Sequence, residues 1–127
     1  MNIEKVSEKD IEAIMELARR AIIESVDAND SIKKEIITDT MMHIEKNICK
    51  SERVFLKCIN EKILGFILIQ EYWNLSDLYV IPEAHGKGVG KFLLNAAISA
   101  CLPRQEKDYI RVNSSLNAEG FYRHLGF

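Results

Sequence analysis

The segment His85-Gly86-Lys87-Gly88-Val89-Gly90-Lys91 sets three glycines at alternate positions among two lysines and a histidine. Glycine carries no side chain, so successive backbone N–H groups can converge on a single anion. Directly downstream, Phe92, Leu93, Ala96, Ala97 and Ala100 recur at helical spacing, which places the glycines at a helix N-terminus, where the helix dipole adds partial positive charge. The chemistry available to such a segment is phosphate binding. Read alone, the same residues also suit a flexible surface turn with solvated lysines. The spacing disfavours two common phosphate ligands, though a nucleotide-binding enzyme stays open because glycine loops are promiscuous. A nucleoside-triphosphate loop needs GxxxxGK and then Ser or Thr, but Gly86 to Gly90 is one residue short and Phe92 stands where the hydroxyl belongs. A dinucleotide fingerprint needs GxGxxG, but Lys91 lies three beyond Gly88 and Leu93 three beyond Gly90.

The elements around this loop follow from periodicity and turn chemistry. Ser7 and Asp10 form a capping box ahead of a helix over residues 8–25, whose buried face carries Ile11, Ile14, Met15, Ala18, Ile22 and Val26. A second helix begins after the turn residues 27–31 and shows Ile36, Ile37, Met41, Ile44 and Ile48 on its apolar side. Residues 53–59 and 62–69 read as the two strands of an antiparallel hairpin, with Gly65 marking a bulge or close packing. A strand over 75–81 ends at Pro82, which cannot continue a ladder and fixes the exit into the glycine loop. A helix over 88–101, a strand over 109–113 and a short helix over 117–124 complete the order. Strand, loop, helix, strand is a βαβ unit with a right-handed crossover, and ligands of open α/β sheets bind beyond the strand ends, where this loop falls.

Composition bounds the rest. The 127 residues make one domain, 47% hydrophobic and 28% charged, with net charge -2. Without a basic footprint, nucleic acid is not the expected partner. The charged N-terminal segment lacks the apolar core of a signal peptide and no run reaches spanning length, so a cytoplasmic location is expected and no membrane partner. Cys49, Cys58 and Cys101 read as reduced, mostly buried thiols. His43, His85 and His124 are scattered, and no metal site is expected.

The run Leu78-Tyr-Val-Ile-Pro-Glu-Ala-His-Gly-Lys-Gly-Val-Gly-Lys-Phe-Leu-Leu94 resembles the acetyl-CoA motif of the GNAT superfamily of N-acetyltransferases, Q/R-x-x-G-x-G/A after a Leu-Tyr-Val-x-Pro strand. His85 occupies the usual Gln or Arg position. The run Asn117-Ala-Glu-Gly-Phe-Tyr-Arg-His-Leu-Gly-Phe127 resembles the family's second signature, Ala-x-x-Phe-Tyr-x-x-x-Gly-Phe. The resemblance implies an α/β (α+β) fold: a mixed, mostly antiparallel central sheet with a splayed parallel strand pair and flanking helices. It also implies acetyl-CoA as co-substrate, with its pantetheine arm entering the splay like a missing strand.

Carried over, Leu78, Tyr79 and Val80 offer backbone groups to that arm, and the N–H near Val80 polarises the acetyl carbonyl. His85, Gly86, Lys87, Gly88, Val89, Gly90 and Lys91 hold the pyrophosphate. Asn113 and Asn117 reach the arm from the opposite strand and last helix, Asn117 being equally suited to an N-cap. Tyr122 is the group that matches the motif's hydrogen-bond donor to the departing sulfur. The acceptor is a primary amine of a small molecule or peptide, which must lose a proton before attack; Asp77 and Glu71 are the candidate bases. Asp77 is expected to share a strand face with Leu75 and Tyr79. Glu24, Asp27 and Asp30 lie near the helix 1 to helix 2 loop, where they can attract a cationic amine or form a solvated acidic turn. Family members continue past the final Gly-Phe with further strands, so the single domain over 1–127 is expected to lack the last one or two, leaving an edge that a homodimer would cover. His85 and that early stop also suit a non-catalytic acyl-CoA sensor.

Overall fold

The computed structural model describes residues 1–112; Asn113, Asn117, Tyr122 and the expected helix over 117–124 lie outside the described residues. Among the described residues, five strands and three helices make a mixed α/β fold. The strands are β1 (Asn2–Lys5), β2 (Arg53–Asn60), β3 (Lys62–Gln70), β4 (Asn74–Val80) and β5 (Arg111–Val112), lying side by side in that order. The first four pair antiparallel; β5 pairs parallel to β4 at Asn74 with Arg111 and Leu75 with Val112. The helices are α1 (Ile11–Ser25), α2 (Asp30–Asn47) and α3 (Val89–Cys101).

The expected capping box forms: Ser7 N–H donates to Asp10 Oδ2 at 2.9 Å, and a 3₁₀ turn over Glu8–Asp10 leads into α1. Asn29 caps α2, its side chain accepting from Ile32 N–H at 2.9 Å. Of the expected apolar stripe on α2 only Ile44 is fully buried, and two polar residues, Thr40 and Asn47, are buried beside it. The first strand was not expected. Its four residues include one apolar side chain, Ile3, and owe their conformation to pairing with β2 rather than to their own pattern. Its charged residues also make it a poor template for further pairing.

Helices cover both faces of the sheet. Cross-strand partners share a face, so Lys57, Phe66 and Tyr79 lie together, as do Phe55, Leu68 and Asp77. α2 lies over this side, with Thr40 hydrogen-bonded to the Tyr79 hydroxyl. On the opposite side, Val80 and Gly65 meet Leu93 of α3. Phe55, Phe66, Ile67, Leu68, Ile69, Leu75 and Leu93 are almost completely buried, each contributing roughly 1.5–3 kcal/mol relative to exposure. Gly65 combines both expectations for it. The register shifts between Cys58 and Ile59 opposite it, and a Cβ there would stand 2.7 Å from the Tyr79 carbonyl oxygen.

One detail differs from the expectations above. A bulge at Ser76 makes Asp77 face Leu68 while Leu75 faces Ile69, so Leu75 does not share the Asp77 face; one extra residue inverts the alternation. Of the cysteines, Cys58 and Cys101 are buried, but Cys49 is exposed and donates from Sγ to Glu8 Oε1 at 3.4 Å. Burial pushes the Cys101 thiol up to about 11, which makes it a poor nucleophile. No helix among the described residues is long and apolar enough to cross a membrane.

Candidate active site

β4 is flanked by β3 along its length, and among the described residues β5 pairs with it at Asn74 and Leu75. Backbone groups alternate along a strand, and Ile81 N–H points to β3, donating to Leu64 O at 2.9 Å. The groups of opposite parity, those of Leu78 and Val80, therefore face away from β3, where no described strand lies opposite them. Tyr79 has the other parity: its carbonyl faces Gly65 and its side chain runs under α2. Burial pushes the Tyr79 phenol up to about 12, partly offset by the hydrogen bond from Thr40, so it stays neutral.

Beyond β4 the chain turns through a 3₁₀ segment, Pro82–Ala84, into the glycine loop. Gly86 and Gly88 adopt φ +76° and +80°, a region that L side chains avoid even though open space surrounds both. The first backbone hydrogen bond of α3 runs from Phe92 N–H to Gly88 O at 2.9 Å. The amides of Val89, Gly90 and Lys91 thus precede the helical ladder and carry the positive end of its dipole. Lys87 on the loop and Lys91 in the first turn of α3 are both exposed. His85 folds back, its Nε2–H donating to the Val80 carbonyl at 3.0 Å. The loop is also clamped from outside. Arg20 of α1 grips Glu83 through both carboxylate oxygens and Lys62 of β3 adds a contact at 3.3 Å, holding the Glu83 carboxyl down at about 2. Arg20 also binds Glu24 at 2.7 Å, so of the acidic residues near the α1–α2 loop only Asp27 and Asp30 stand outside this cluster.

Of the two candidate bases, Asp77 is buried, its side chain 2% exposed, and accepts from His43 Nδ1–H at 2.9 Å and from Ser76 Oγ at 2.8 Å. The Asp77 hydrogen bond raises the affinity of His43 for a proton; burial opposes this and Asp39 assists. Glu71 sits exposed in the β3–β4 turn at φ +56°, separated from Leu78 and Val80 by the residues Asn74 and Leu75 that pair with β5. His43 and Ser76 were not among the candidates. The signal was present: Thr40, His43 and Asn47 interrupt the apolar stripe of α2 at the i, i+3, i+7 positions of one face. Among the described residues no three His, Cys, Asp or Glu side chains gather as metal ligands.

The outward-facing backbone of Leu78 and Val80 and the bare N-terminus of α3 thus follow one another at the end of β4. The family model for the acetyltransferase (GNAT) domain matches residues 19–127. The chain belongs to the GNAT family. A curated relative, an uncharacterized N-acetyltransferase of Oceanobacillus iheyensis, is 38% identical over 58 residues, covering 46% of this chain and 32% of the relative. The chain thus spans about a third of that relative's length. Among solved structures, a GCN5-related N-acetyltransferase of Rhodopseudomonas palustris superposes with TM-score 0.82 at 19% identity, covering 98% of this chain and 79% of that one. The PaiA N-acetyltransferase of Thermoplasma acidophilum, solved in complex with coenzyme A, gives 0.74 at 22% identity, covering 98% and 86%. Both likenesses are of fold.

Proposed function

We propose that this chain transfers the acetyl group of acetyl-CoA to a primary amine of a small molecule or peptide by direct attack in a ternary complex. Family membership supports the reaction class. The observation that carries the site is the meeting, at one end of β4, of outward-facing Leu78 and Val80 backbone with the N-terminus of α3. A pantetheine arm is a chain of amides that can pair with a strand, and a pyrophosphate is the dianion that free amides at a helix start bind best. The residues present fit both ends of that ligand.

In this reading Leu78 and Val80 pair with the arm, and an outward amide of β4 donates to the acetyl carbonyl as negative charge grows on its oxygen. The amides of residues 86–91, with Lys87 and Lys91, hold the pyrophosphate. His85 departs from the family's Gln or Arg by spending its Nε2–H on the Val80 carbonyl, tying the loop to the strand end. Asn113 and Asn117 approach the arm from the far side and Tyr122 donates to the departing sulfur, roles that rest on the motif alone. A phenol near pKa 10 facing a thiol near 8.5 gives up its proton uphill by roughly 2 kcal/mol, so donation of a hydrogen bond suffices.

The test is release of free thiol from acetyl-CoA across a panel of polyamines, amino sugars and N-terminal peptides, with the acetylated product identified by mass. Transfer to at least one class is expected. Binding of acetyl-CoA without transfer to any amine would leave the chain an acyl-CoA binder instead.

A further inference from the structure

The bulge at Ser76 falls directly after Leu75, the last residue of β4 paired by the described part of β5, and re-aims the next side chain, Asp77, beneath α2. Asp77 is almost completely buried, and a buried carboxylate needs partners. It has two, Ser76 Oγ at 2.8 Å and His43 Nδ1 at 2.9 Å. The ring of His43 is not buried with it; its side chain is 37% exposed. A carboxylate that accepts at Nδ1 fixes the neutral ring as the Nδ1–H tautomer and leaves the Nε2 lone pair pointing away from the carboxylate. Nε2 meets no hydrogen-bond partner among the described residues. Asn47 Nδ2–H, donating to the His43 carbonyl at 2.8 Å, steadies the turn of α2 that carries the ring.

Resting on the acetyltransferase reading above, we infer that His43 is the base that takes the proton from the acceptor amine, and that Asp77 is the positioning residue that orients it. The pair stands just beyond Leu75, where the described β4–β5 pairing ends, and one residue before Leu78, so it lies beside the thioester if the arm follows Leu78 and Val80 toward the glycine loop. Asp77 itself is too enclosed to meet an amine. An alkylamine with pKa about 10.4 is neutral in only about one molecule in 2,500 at pH 7, so a base near neutral pKa has much to supply. The ammonium gives one proton to Nε2, and the freed nitrogen lone pair forms the new bond to the acetyl carbon. As the C–S bond breaks, sulfur leaves with the bonding pair and takes up the second nitrogen proton. The products are the amide, free CoA thiol and one proton that His43 returns to solvent.

The charged groups acting on the ring are Asp77 from β4 and Asp39 and Lys46 from α2 itself; the first two favour its protonated form and Lys46 opposes it. The base works only when neutral, so kcat/KM rises with pH through the titration of His43. Two measurements on the intact chain test this. The first is the pH profile of transfer for wild type, His43→Gln and Asp77→Asn. His43→Gln is expected to lower kcat about 10²–10⁴-fold with the KM for acetyl-CoA nearly unchanged and the acid limb abolished. Asp77→Asn is expected to keep activity at high pH while moving that limb to lower pH. The second is long-range proton–nitrogen NMR of the imidazole, expected to show Nε2 unprotonated in the neutral ring. An acid limb that survives His43→Gln, or a neutral ring protonated at Nε2, overturns the assignment while leaving the acetyltransferase reading intact. A wild-type chain that binds acetyl-CoA and acetylates no amine overturns both. If the pair merely braces α2 on β4, both variants lose thermal stability and the limb does not move.

Discussion

His85 Nε2–H donates to the Val80 carbonyl at 3.0 Å, closing the 3₁₀ turn between the end of β4 and the glycine loop. Val80 is the last strand residue whose backbone faces away from β3, so this contact sets where the strand ends and the glycine loop begins. His85→Ala is expected to weaken acetyl-CoA binding about three- to tenfold, the worth of one partly exposed hydrogen bond, with little change in melting temperature. Isothermal titration reads the first and a thermal melt the second.

Gly65 lies under the same strand end from the other side. A methyl group there would stand 2.7 Å from the Tyr79 carbonyl oxygen, with Leu93 Cδ1 and Val80 Cγ2 each at 3.2 Å. Backbone cannot yield as a flexible side chain does, so Gly65→Ala should destabilise the fold by about 1–3 kcal/mol and push β4 outward. Denaturant unfolding gives the loss; a fall in acetyl-CoA affinity larger than that of His85→Ala would show that the displacement reaches the site.

Lys57 and Asp10 form a buried ion pair at 2.7 Å, with side chains 6% and 9% exposed, joining β2 to the turn that starts α1. Removing one charge strands the other, so Lys57→Met should cost about 3–5 kcal/mol, and Lys57→Met with Asp10→Leu should recover part of it. Burial pushes the Asp10 carboxyl up, but the Lys57 and Ser7 hydrogen bonds outweigh it and the net effect is downward. Its contribution to stability is therefore present above the ordinary aspartate range and is lost as pH falls through and below it. Unfolding curves at pH 7 and pH 3 should differ more in wild type than in the double variant.

Glu83 is exposed but gripped by Arg20 and Lys62, and its carboxyl is held at about 2. A depressed carboxyl stabilises the fold above the ordinary glutamate range and loses that effect as pH falls toward about 2. Carbon-detected NMR titration should place the Glu83 midpoint at about 2. In Arg20→Met, or at high salt, its midpoint should return toward the ordinary value, because exposed pairs are screened.

Much of this arrangement was legible in the residues. Pro82 and the alternate glycines located the loop, Ser7 with Asp10 located the first helix start, and the 3.6-residue periods located α1, α2 and α3. Three features were not. β1 carries one apolar residue in four and forms because β2 offers an edge, a tertiary cause with no local signature. The bulge at Ser76 has no Gly or Pro to announce it, and it alone moves Leu75 away from the Asp77 face. His43 and Asp77 are 34 residues apart, so their pairing became visible only with the packing of α2 on β4. The polar stripe of α2 was readable; its partner was not.

The central claim is that acetyl-CoA lies along the outward backbone of β4 with its pyrophosphate at the start of α3. Titrating the isotope-labelled chain with acetyl-CoA and following backbone amide shifts tests it residue by residue, with ATP and NAD as controls. Saturable shifts concentrated at Leu78, Val80 and residues 86–91, with neither control competing, are the expected result. Saturation with no shift at these amides, or equal displacement by ATP or NAD, would contradict it.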